Sequence, residues 1–183
     1  MTPSNRSFFS HAGIVLAFLI ALPLPALTID QRTRNQLKRE TDLAIRLIED
    51  YHYKQTPFER IDSDELITSY MEDLDGARLF FLEKDRDFFL ARFGPSLKQT
   101  YLALGDLYPA FEIFNQYQRR VFNRLDWIEN RLEGDFDLVS DKTYRPERDE
   151  LPWPASLEEA DGLWERRLTY ELITELLEDV PLQ

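Results

Sequence analysis

Cysteine is missing from the whole chain, and that absence removes several chemistries at once. No thiolate is available as a nucleophile or as a zinc ligand, and no disulfide can brace the fold. A lipid-modified cysteine behind a cleaved leader is excluded as well. Histidine is nearly as scarce, with only His11 and His52. His52 stands between Tyr51 and Tyr53 without the second imidazole or thiolate that a metal site needs, so it reads as a packed or solvated side chain. Glycine occurs six times, never at phosphate-loop spacing, which leaves nucleotide binding without a motif. Positive charge is also in deficit: 22 basic residues face 34 acidic ones, for a net charge of −12. Such a chain repels phosphate backbones and anionic lipid, so nucleic acid and a membrane surface are not expected partners. The acidity itself mainly promotes solubility.

Long apolar runs are lacking too, with one exception near the start. Arg6 and His11 precede an apolar run from Gly13 to Leu22, followed by Pro23, Leu24, Pro25 and Ala26. This is the layout of a secretory signal peptide, and cleavage after Ala26 is the expectation. The run is short for a membrane span, so a membrane contact is expected only through an uncleaved leader. Loss of residues 1–26 removes one base and no acid, leaving 21 basic against 34 acidic residues. The expected product is one domain over 27–183, exported to the periplasm, and without disulfides it depends on a buried apolar core.

What is abundant is helical periodicity. From Asp106 to Glu133, Leu107, Phe111, Phe114, Gln118, Val121, Leu125, Ile128 and Leu132 recur at steps of three and four, the apolar seam of an amphipathic helix. Pro109 and Tyr117 widen the seam, while Glu112, Arg119, Asn123, Asn130 and Arg131 fall largely off it. Asp106 suits the N-cap, and Gly134 suits the stop. The expected fold is all-α, an irregular helical bundle around this long central helix (about 106–133). Earlier, Ile29–Tyr51 reads as a helix with Leu37, Thr41, Ala44, Leu47 or Ile48 and Tyr51 inward. A capped helix begins at Asp62 or Ser63 and ends at Gly76. Arg78–Leu82 is apolar but has no partner strand in the chain, so it reads as a buried extended connector. Glu83–Phe93 returns to helical spacing, and Ser96–Leu104 continues as a brief further helix. Residues 134–154 carry loop chemistry, with Phe136, Tyr144 and Trp153 suited to pin them. Ser156 and Glu159 form a capping box for a last helix, with Leu157, Ala160, Leu163, Trp164, Leu168, Leu172 and Leu176 inward.

A catalytic set is not legible in these elements. Ser96 with Lys98, and Ser140 with Lys142, lack the glycine-lined turn that exposes a nucleophile and supplies oxyanion donors. The acid clusters Asp62/Asp64/Glu65, Glu72/Asp73/Asp75, Glu83/Asp85/Asp87 and Asp135/Asp137 read as solvated faces. Counted as a calcium loop from Asp62, the sixth and twelfth positions are Ile67 and Asp73, not the required glycine and glutamate. No catalytic, metal or cofactor residue is therefore assigned.

Three stretches nevertheless resemble one family, the tail-specific (carboxy-terminal-processing) serine proteases of the bacterial periplasm. The first is Tyr51-His52-Tyr53-Lys54. The second runs from Tyr70 to Phe89 and contains Leu74-Asp75, Arg78, Phe80-Phe81-Leu82, Asp85 and Phe89. The third is Leu151-Pro152-Trp153-Pro154 followed by Leu157, Glu159 and Leu163-Trp164. With the long helix ending in Leu132-Glu133, they occur in the order of that family's N-terminal helical domain, over about Leu37 to Leu177. The resemblance implies a full protein with a signal peptide, this domain, a peptide-gripping PDZ module and a core with a Ser–Lys dyad. The chain stops at Gln183, ahead of any such module, and no serine or lysine in it matches the dyad. It is therefore expected to be a non-catalytic scaffold, as a fragment or split form, with a protein partner: a protease core, an adaptor or a substrate polypeptide. The alternative is a free-standing periplasmic interaction module. Trp153 and Trp164 are the candidate structural or interface residues. Each is either an ordinary core aromatic or, for Trp153 held by flanking prolines, a plug that fixes the 134–154 loop or lines a domain interface.

Overall fold

The computed structural model describes residues 30–51, 57–139 and 141–178. The expected signal segment 1–26, His52 and Ser140 lie outside the described residues. Five α-helices carry the described chain: α1 (Gln31–Tyr51), α2 (Ser63–Leu74), α3 (Glu83–Phe93), α4 (Tyr108–Leu132) and α5 (Leu157–Glu178). Short 3₁₀ turns surround a π turn between α3 and α4, over Gly94–Leu104, where one brief helix is expected from the spacing. No strand occurs among the described residues, and the fold is all-α. Residues from Gln31 onward group into a single unit.

The helix boundaries follow local chemistry. Asp62 caps α2, its carboxylate accepting from Asp64 N at 2.8 Å and Glu65 N at 3.3 Å, which satisfies donors that a helix start leaves open. Ser156 Oγ accepts from Glu159 N at 3.1 Å, and the Glu159 carboxylate accepts from Ala155 N at 2.8 Å, so the capping box reaches one residue further back than the standard form. Asp106 accepts from Tyr108 N at 2.9 Å. The helical backbone begins at Tyr108, and Leu107 occupies the cap position.

The core does not sit on the seam of α4. Its larger cluster joins Ile67 and Met71 of α2, Phe81 of the connector, Phe89 and Phe93 of α3, Leu97, Ile113 and Trp153. A second cluster joins Leu79 to Leu163 and Trp164 of α5. From α4 only Pro109, Ile113 and Arg124 are buried. Of the expected seam, Leu125 is 43% exposed and Leu132 45%, Leu107, Phe111, Phe114, Gln118 and Val121 are half-buried, and Ile128 alone of the line packs against the second cluster. The inward line is turned to Ile113, Tyr117, Arg120, Arg124 and Arg131. Arginines can occupy it because each meets a carboxylate from another element. Arg120 pairs with Asp85 at 2.9 Å, Arg124 with Asp161 at 2.7 Å, and Arg131 with Glu165. Periodicity alone assigns such positions to solvent, because it sees the charge of a side chain and not its partner.

The same correction applies to two acid clusters. Asp75 and Asp85 are buried, not solvated. In α3, Phe89 and Phe93 point into the core while Phe88 is exposed. α1 has no buried residue. Leu37, Thr41, Asp42, Ile45 and Glu49 are its half-buried positions, whereas Ala44, Leu47, Ile48 and Tyr51, on the face expected inward, are exposed. The helix is tied to the body through Lys38 Nζ, which donates to Leu104 O at 2.9 Å. On α5, Ala160, Leu163 and Trp164 are buried, but Leu157 and Leu176 are exposed.

Candidate functional site

The buried polar groups converge on the connector between α2 and α3. Its amides form no ladder, so their hydrogen-bonding needs must be met by side chains. Asp75, the residue closing α2, meets them. One carboxylate oxygen accepts from Leu79 N, and the other from Phe80 N and Phe81 N, all at 2.9 Å. A fourth donor comes from the far end of the chain: Trp153 Nε1 donates to the second oxygen at 3.0 Å. Trp164 Nε1 donates to Leu79 O at 2.9 Å. Both tryptophans thus pin the same few residues, Trp153 from the end of the 134–154 segment and Trp164 from α5.

Each neighbouring polar residue repeats the theme. The chain turns back after α2 through Arg78, whose φ of +52° is in the left-handed region, an uncommon conformation for a residue with a Cβ. Its guanidinium holds the turn by donating to Glu72 and to Leu151 O, and it lies 5.2 Å from the Trp153 ring centre. Glu83 N donates to Pro154 O at 3.0 Å. Asp85 then accepts from Leu82 N at 2.8 Å and carries Gln116 Nε2 and the Arg120 guanidinium on its two oxygens. The motif residues Asp75, Arg78, Asp85, Trp153 and Trp164 therefore form one clamp that joins α2, the connector, α4, the proline-flanked loop and α5.

Electrostatics match this holding role. Burial raises the Asp75 pKa above the ordinary carboxylate value, and its four N–H donors pull the other way. The Tyr117 phenol is raised by burial and by the nearby Asp75 charge. Asp75 has four donors on two oxygens, which leaves it little capacity to act as a general base. Trp153 is 4% exposed and Trp164 7%, so the indole faces are used inside this chain. Lys98 Nζ donates to Ile61 O at 2.7 Å. No group of three or more His, Asp or Glu is placed to hold a metal among the described residues, and no described helix is long and apolar enough to cross a membrane.

Sequence reasoning singled out the two tryptophans and missed Asp75 and Arg78 as the partners of Trp153, and Asp85 as the buried partner of Arg120. The signal was present. A five-residue apolar stretch without a strand partner must find acceptors for its amides, and Asp75 stands four to six residues upstream of three of them.

Two comparisons with known proteins bear on this arrangement. Residues 44–181 match the model of the tail-specific protease N-terminal domain. The chain is also 26% identical over 128 residues to a tail-specific protease of Haemophilus influenzae, an alignment covering 70% of this chain and 18% of that relative. The chain thus spans less than a fifth of the relative's length, and every residue of the clamp falls inside the matched range. The chain belongs to the tail-specific protease N-terminal domain family.

Proposed function

We propose that this domain is the non-catalytic scaffold of a tail-specific protease, acting in the periplasm and presenting its surface to a protease core. The observation that carries the reading is apolar surface left uncovered beside a satisfied interior. Phe122, Leu125 and Leu132 follow one stripe along the second half of α4, Leu43, Leu47, Ile48 and Tyr51 follow another on α1, and Leu176 and Leu177 lie exposed near the end of α5. Stripes of this kind mark contact with further polypeptide. The 18% coverage of the Haemophilus influenzae relative supports the same reading, since most of such a protein lies outside the matched segment. The polar residues described above are engaged in holding the fold, which leaves the protease chemistry to a Ser–Lys core elsewhere.

The test uses a tail-specific protease core from the same cell, prepared without its own helical domain and mixed with the chain. A stoichiometric complex on size exclusion, with faster cleavage of an unstructured reporter peptide, supports the scaffold. A core that ignores the chain points instead to a free-standing interaction module. Cleavage of the reporter by the chain alone, free of contaminating hydrolase, overturns the non-catalytic assignment.

A further inference from the structure

Charge is unevenly placed along this chain. The first part of α1, residues 31–39, holds Arg32, Arg34, Lys38 and Arg39 and no acid, within a chain of net charge −12. The second half of α4 shows the opposite on its solvent side, where Asp126, Glu129 and Glu133 are exposed. None of Arg32, Arg39, Asp126, Glu129 or Glu133 has an ion-pair partner among the described residues. Each charged stretch adjoins uncovered apolar side chains, Leu43 and Leu47 on α1 and Phe122 on α4.

The two faces share one spacing. On α1, Arg32, Gln36, Arg39, Leu43 and Leu47 follow steps of four, three, four and four, on the face turned away from the half-buried Leu37, Thr41 and Ile45. Taken backwards along α4, Glu133, Glu129, Asp126, Phe122 and Gln118 repeat those steps, opposite the inward Tyr117, Arg124 and Arg131. Laid antiparallel, the two helices match layer by layer: Arg32 with Glu133, Gln36 with Glu129, Arg39 with Asp126, and Leu43 with Phe122. We propose that α1 of one copy of this chain packs antiparallel on the second half of α4 of another copy. The contact does not close within one chain. Lys38 is seated at Leu104 and Gly105, and Phe122 stands 14 positions after Tyr108, about 21 Å further along α4. Leu43, about 8 Å beyond Lys38 along α1, does not span that distance. Two copies of equal net charge repel at long range, so a copy is held only where sign and apolar surface match locally, and the basic start of α1 supplies that match. This pairing goes beyond the scaffold role. It takes up the stripes of α1 and α4 and leaves the end of α5, with Leu176 and Leu177 exposed, to the core.

One helix pair is a small interface, so association is expected at about 10–100 µM, and sedimentation equilibrium of the full chain reads it as a mass above that of the monomer. Arg39→Glu and Asp126→Arg, both at exposed positions, should each weaken association at least about fivefold. The two together in one chain should restore it to within about twofold of the parent. The chain has no cysteine, so Gln36→Cys and Glu129→Cys can be mixed as separate variants under mild oxidation. A disulfide-linked dimer should form faster in the mixture than in either variant alone. A chain that stays monomeric through that range, single charge variants that associate like the parent, a double variant no better than either single, or a mixture that cross-links no faster than its components overturns the pairing. Should a charge variant lose its helix content by circular dichroism, the cysteine mixture decides alone. A monomeric chain that still binds the protease core overturns the pairing and leaves the scaffold role standing.

Discussion

Replacing Trp153 by phenylalanine tests the clamp at its most distant link. The substitution keeps an aromatic ring in the core beside Phe81, whose ring centre is 6.1 Å away, and deletes the donor that reaches Asp75 Oδ2 at 3.0 Å. A hydrogen bond to a charged group contributes about 1.5–3 kcal/mol, and at a carboxylate only 3% exposed water is poorly placed to substitute. The smaller ring also leaves a void, adding about 1 kcal/mol. The expected loss is therefore about 3 kcal/mol, a large part of a typical 5–15 kcal/mol domain stability. Urea denaturation followed by circular dichroism measures it, and limited proteolysis localises it: residues 134–154 should become cleavable while helix content stays near the parent value. A double-mutant cycle with Asp75→Ala isolates the pair, and its coupling should be on the order of 1.5–3 kcal/mol. A Trp153→Phe variant within about 0.5 kcal/mol of the parent, with an equally resistant loop, would refute the claim that this bond holds the segment.

Two further outcomes follow from the same geometry. Because burial raises the Asp75 pKa in the folded state, the native chain binds this proton more tightly than the unfolded one. The group's stability contribution is then greatest below the ordinary value of 3.8 and falls as pH rises through the raised one. Trp153 favours the charged form, so the penalty for Trp153→Phe should be larger at pH 7 than at pH 4; a penalty independent of pH in paired melts would contradict this. At Gly105, φ is +64° and an added Cβ would stand 2.6 Å from Lys38 Cα. Gly105→Ala should therefore lift α1 from the body, seen as faster hydrogen exchange across Gln31–Tyr51 with α2 and α3 protected as before. Unchanged exchange in α1 would mean that the contact is not what seats it.

The parts of this fold readable from residues alone are those governed by local rules. Asp62 with Glu65, Ser156 with Glu159, and the glycine after α4 announce helix ends because capping is decided within four residues. Arg78–Leu82 could be recognised as a connector because no second strand-like run exists to pair with it. Which way α4 faces was not legible in the same manner. Its apolar seam is real as a stripe, but Arg120, Arg124 and Arg131 turn inward since Asp85, Asp161 and Glu165 wait at 34 to 37 positions' remove. Periodicity holds no information about partners that far off. Trp153 and Trp164 stood out as unusual residues among prolines and leucines, yet their shared target became visible only once the connector and both indoles were placed together.

The clamp also sets a timetable for the newborn chain. Asp75 and Trp153 are 78 positions apart, and Leu79 and Trp164 are 85 apart. A polypeptide emerging from its N-terminus can begin to wind the 25-residue α4 early, whereas α2 and α3, at 12 and 11 residues, depend on packing to persist. The link between them stays unlatched until residue 164 has followed. During that interval Phe80, Phe81 and Leu82 are open to any apolar surface, which is the kind of exposure that holding chaperones recognise. A gene split anywhere between Glu133 and Trp153 should accordingly yield two pieces that need each other to fold, with the earlier piece the stickier of the two.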